Sequence, residues 1–207
     1  MHDGSHAATL DAHWGGGVSP FGATWQKTMM WIFIITDALL FSGLLAGYGY
    51  LRMSGQVPWP RTPEVFSIPF IALMTFILIS SSATMGTAVT AARLGDRKKA
   101  LVNVCITIFG GACFLGCQAF EWSHMIHEGA RLGSNPWGAP QFGAAFFVLT
   151  GFHGSHVLSG LIILTITAIR TGLGKTPAQG VEMAGLYWHF VDLVWVFIFT
   201  LFYLLPS

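Results

Sequence analysis

Residues 142–169 read FGAAFFVLTGFHGSHVLSGLIILTITAI, an apolar run without Lys, Arg, Asp or Glu whose polarity is confined to small hydroxylic residues and two histidines. A bilayer's hydrocarbon core is about 30 Å thick, which an α-helix crosses in about 20 residues. The run is therefore long enough to span, and its histidines fall inside the span. In lipid, a backbone must satisfy its own hydrogen bonds, so a spanning segment of this kind is a helix.

The same reading carries along the chain. Apolar runs of spanning length occur at 27–51, 66–92, 100–120 and 184–205 as well, which makes five in all. Breakers lie between them: Pro58, Pro60 and Pro63, the charged run 93–99, the stretch 133–140, and the stretch 172–177. The expectation is an all-α polytopic membrane protein, a bundle of five transmembrane helices over 27–207 behind a polar N-terminal tail, 1–26. There is no internal repeat and no room for a separate soluble domain.

Composition agrees. Hydrophobic residues make up 53% and charged residues 9%, with a mean hydropathy of +0.61; a soluble domain carries roughly 25% charged residues. The formal net charge of +1 has no basic stripe, which excludes nucleic acid as a partner. Cys105, Cys113 and Cys117 share one apolar span and read as small packing residues. The tail lacks a basic segment ahead of an apolar one, unlike a cleaved leader. Its His2, His6 and His13 read as part of a solvated arm.

Counting Lys and Arg by side sets the expected orientation. Lys27, Arg93, Arg97, Lys98, Lys99, Arg170 and Lys175 fall on one side; Arg52, Arg61 and Arg131 fall on the other. The positive-inside rule places the N-terminus inside and the C-terminus outside. At about 1.5 Å per residue, Asp37 then lies roughly 15 Å deep, near the midplane. His156 falls close to that depth, and His189 and Asp192 lie in the inner half of the last span.

Ionisable groups at such depths cost about 2.5–3.5 kcal/mol each by insertion scales, so they need partners and usually a task. A carboxylate there calls for an imidazole or water to compensate its charge. Asp37 with His156, or His189 with Asp192, would supply that compensation, either as struts between helices or as sites that take up and pass protons. His153 and His156, at i and i+3, share a helical face, as do His189 and Asp192. A di-metal centre would draw on these four plus Glu121, His124, His127 and Glu128. The latter group sits at the outer end of the third span, more than about 15 Å from His189 in depth, so one metal cannot collect both sets. Glu121 and His124 read instead as polar residues at the membrane interface. Trp25, Trp122, Trp137 and Tyr203 read as aromatic anchors there. Small residues, Ser80 to Ala83 with Gly86, and Gly151, Gly154 and Gly160, mark close helix contacts.

Taken together, three stretches resemble subunit III of the haem–copper terminal oxidases. They are Thr150-Gly151-Phe152-His153-Gly154-Ser155-His156-Val157, Tyr187-Trp188-His189-Phe190-Val191-Asp192-Leu193-Val194-Trp195, and Thr36-Asp37-Ala38-Leu39-Leu40-Phe41-Ser42-Gly43. Glu121-Trp122 also fits, and the resemblance covers most of 27–206. It implies a non-catalytic subunit without redox centres in a bacterial cytoplasmic membrane. Such a subunit packs on the catalytic subunit I, which holds haem and copper, and on subunit II and other oxidase subunits.

The implied role is to bind phospholipid, sustain proton uptake and protect a proton-pumping cytochrome c oxidase during turnover. Asp37 and His156 match the family's buried polar pair. Longer members have seven spans where this chain has five, and many mitochondrial-type members carry Glu at the Asp37 position. Asp looks more like short bacterial forms, including quinol oxidases. A rival of another class, an independent proton-coupled transporter, would be expected to show inverted repeats or broken helices.

Overall fold

The computed structural model of the chain describes residues 24–55, 59–61 and 65–204. Most of the N-terminal tail, with its three histidines, and the prolines at 58 and 63 lie outside the described residues. Within them, five helices are long and apolar enough to cross a membrane. They are α1 (Trp25–Ser54), α2 (Ile68–Arg93), α3 (Arg97–His127), α4 (Pro140–Gly172) and α5 (Ala178–Ile198), the last running directly into a π-helical turn, Phe199–Leu204.

Several helices outrun the apolar spans that mark them. Hydropathy reports the hydrocarbon layer, whereas the hydrogen-bond ladder continues past its edge until something stops it. α3 continues to His127, so Glu121 and His124 sit on helix. Its start is fixed by Asp96, whose carboxylate accepts from the backbone N–H of Lys99 at 3.0 Å. The tight turn between α2 and α3 needs Gly95 at φ 78°, a left-handed conformation that a side chain disfavours. Proline opens α2 and α4, where its missing N–H would have had no partner within the helix.

Lipid tails supply no hydrophobic drive between helices, so packing depends on close fit and interhelical hydrogen bonds. Two indoles of α5 supply both. Trp188 is buried, and its ring occupies the notch left by Gly111 on α3 and Gly160 on α4. Its Nε1–H donates to Ser81 Oγ on α2 at 3.1 Å. Trp195, also buried, donates to Thr75 Oγ1 at 2.9 Å and meets the Phe114 ring edge-on, with centroids 4.7 Å apart. Buried indole N–H groups need such acceptors, and each here sits on α2. α5 is thus the central stave of the bundle.

α1 is the peripheral one, packing on α5 and α4. Its inward residues are Asp37, Phe41 and Tyr48, spaced along one face. Both ends are tied to the last helix. Lys27 Nζ reaches Glu182 Oε1 at 2.6 Å, an oxygen shared with Arg93 at 3.0 Å. At the far end the Tyr48 hydroxyl donates to the Leu201 carbonyl at 3.2 Å and accepts from Arg52 at 2.7 Å.

Candidate functional site

Three of the polar residues expected near the midplane sit on α1 and α4, and the geometry pairs two of them. Asp37 is one of the few residues by which α1 faces inward, at 5% exposure. His156 comes from α4, and its Nε2 lies 3.3 Å from Asp37 Oδ2. The contact is of ion-pair length without the alignment of a hydrogen bond. Phe41, one turn along α1 from Asp37, presses edge-on against the imidazole at 5.1 Å, and Phe152 does so at 4.7 Å. The pair is walled by aromatic rings.

The imidazole is oriented by its own helix. Nδ1 lies 2.8 Å from the Phe152 carbonyl oxygen. A carbonyl can only accept, so Nδ1 carries a proton. Nε2 therefore faces the carboxylate either as N–H or as a bare lone pair. Two lone pairs opposed at 3.3 Å in a low-dielectric interior repel, so the contact is favourable when one of the two atoms carries a proton. The arrangement sets an acid and an imidazole at ion-pair distance.

Around it, α5 braces α4. The Tyr187 hydroxyl is 2.6 Å from Ser159 Oγ and donates to the His156 carbonyl at 3.3 Å. Tyr187 belongs to the motif that carries His189, yet the spacing of ionisable residues did not single it out. A tyrosine in an apolar span, with its hydroxyl in need of a partner, is the signal that was available.

The remaining residues go elsewhere. His153, one turn before His156, is fully buried among Phe114, Trp195 and Phe41, and neither ring nitrogen has a protein partner among the described residues. His189 and Asp192 are not paired directly. The hydroxyl of Ser82 on α2 lies 2.6 Å from His189 Nδ1 instead. His189 is exposed on the outside of the bundle, level with apolar neighbours.

Glu121 turns inward rather than to the membrane surface: it is buried, and its Oε2 accepts from Tyr203 and from Gln118, each at 3.3 Å. Tyr203, read from sequence as an interfacial anchor, is buried there with it, on the π-helical turn that follows α5. His124 remains at the surface, 3.7 Å from Glu128. The three cysteines are unbonded. Among the described residues no three His, Cys, Asp or Glu side chains gather as a metal-binding group.

Comparison with known proteins gives this geometry a context. Residues 22–207 match the family model described as cytochrome c oxidase subunit III. A quinol oxidase subunit 3 of Bacillus spizizenii is 39% identical over 84% of this chain and 84% of its own length. A probable quinol oxidase subunit 3 of Staphylococcus saprophyticus is 36% identical over 87% of this chain and 89% of its own. A probable cytochrome c oxidase subunit 3 of Nocardia farcinica is 35% identical over 85% of each.

Proposed function

Because this chain belongs to the cytochrome c oxidase subunit III family of haem–copper oxidases, we propose that it is the non-catalytic subunit III of a terminal oxidase in a bacterial cytoplasmic membrane. Its N-terminus is inside. It packs on the haem- and copper-bearing subunit I, together with subunit II, and supports that partner's stability, lipid environment and proton uptake. The haem and copper belong to the partner.

The observation that supports the proton role is the 3.3 Å contact of Asp37 with His156. A static strut needs only neutral hydrogen bonds, as Ser159 and Tyr187 supply nearby. A carboxylate and an imidazole so placed can instead take up and release a proton with little rearrangement. An exposed imidazole in mid-span supports the subunit role. Intramembrane polar groups face bundle interiors or cavities rather than lipid, so His189, together with Ser82 and Asp192, suits a surface covered by another subunit.

Cytochrome c is the electron donor expected from the sequence. Quinol is the second reading, favoured by the names of the Bacillus and Staphylococcus relatives. Purification in mild detergent tests the whole proposal. Co-elution with haem-bearing polypeptides supports it, and a chain isolated alone from the membrane contradicts it. Turnover of that complex with reduced cytochrome c, against turnover with a quinol, separates the donors.

A further inference from the structure

A second polar cluster lies in the core between α3 and the end of α5, and the proton site above makes no use of it. Its members are Gln118 and Glu121 on α3 and Tyr203 at the end of α5. Gln118 and Glu121 are 5% and 6% exposed, and His153 is fully buried. The Gln118 amide N–H and the Tyr203 hydroxyl both donate to the same carboxylate oxygen, Oε2 of Glu121. That leaves Oε1 of Glu121 and Oε1 of Gln118 without a protein partner among the described residues, and likewise both ring nitrogens of His153.

The two Oε1 atoms are neighbours, because the Gln118 amide N–H donates to the other oxygen of the same Glu121 carboxylate. His153 packs separately against the Phe114 ring, 5.8 Å between centroids.

The chemistry of the orphaned atoms selects their ligand. The Gln118 carbonyl can only accept, and so does the Glu121 carboxylate when ionised. A molecule that donates twice closes both oxygens, and water does this. Glu121 itself also borders a cavity of about 300 Å³, with His124, Phe120, Met125, Phe66 and Phe70.

We propose that Gln118 and Glu121 bind ordered water inside the helix bundle. One molecule donates to both Oε1 atoms. The chain thus carries a hydrated carboxylate in its core, separate from the Asp37–His156 contact and independent of the functional reading above.

The test is a map of the purified membrane complex at a resolution where ordered waters are visible. Density within about 2.7–3.2 Å of Gln118 Oε1 and Glu121 Oε1 is expected. A dry site in which the two side chains close directly on one another overturns the proposal. A second complex carries Gln118→Leu with Glu121→Leu and should lose that density; its persistence at the same place also overturns the assignment. Should that variant fail to assemble, the wild-type map alone decides.

Discussion

The Asp37 carboxylate and the His156 imidazole meet across two helices at 3.3 Å, with Nδ1 of the imidazole already committed to the Phe152 carbonyl. Asp37→Asn keeps the size and hydrogen-bonding capacity of the side chain but cannot exchange a proton. The complex should assemble with its haem content intact and lose turnover progressively. The loss should be greatest at alkaline pH, where protons are scarce. Asp37→Ala should also loosen the bundle, by about 3–5 kcal/mol where a buried charge is left alone. Oxygen consumption across pH measures the first, and thermal unfolding of the complex the second. Unchanged activity at every pH leaves Asp37 a structural residue.

Gly111→Ala places a methyl group against the Trp188 ring and Leu161. Overpacking of this kind costs about 1–3 kcal/mol. Gly154→Ala, on the next helix, meets nothing within contact range and should be tolerated. The difference in melting temperature between the two variant complexes tests the notch.

Glu182 accepts from Lys27 and Arg93, whose side chains are 38% and 58% exposed. Partly solvated pairs contribute about 0–1 kcal/mol and are screened by salt. Glu182→Gln should therefore lower stability modestly, and the deficit should shrink as ionic strength rises.

A photo-crosslinking residue at Leu193, one turn beyond His189 and itself exposed, should capture a haem-bearing polypeptide in the intact complex. Adducts with lipid alone would count against a subunit interface on this face.

Orientation has its own test. Gly133→Cys, between α3 and α4, should react with a membrane-impermeant maleimide in whole cells, and Lys175→Cys, between α4 and α5, should not. The reverse pattern inverts the topology drawn from the Lys and Arg count.

The five helices were legible because a spanning segment must be apolar for its whole length. Asp37 and His156 stood out because ionisable groups are rare at that depth. The faces of the helices were less legible. A soluble helix marks its buried side by polarity, but a helix in lipid is apolar all round, so the pattern does not say which way a side chain looks. That is why Glu121 and Tyr203 read as residues of the membrane interface, and why Ser82 was not seen as the partner of His189. The glycines were the better guide. Gly160, read as a contact point, is where the Trp188 ring lands.

The helix that touches most of the others is also fifth in chain order. Ser81, Thr75, Gly111 and Gly160 are all emplaced before the indoles that fill or bind them have been translated. During insertion, the first four segments have contacts of their own, Thr84 with Thr107 and Trp122 with Thr150, but not yet the two indoles. Trp188 and Trp195 then add the ties to α2, so a chain whose ribosome stalls before residue 188 is expected to lack both.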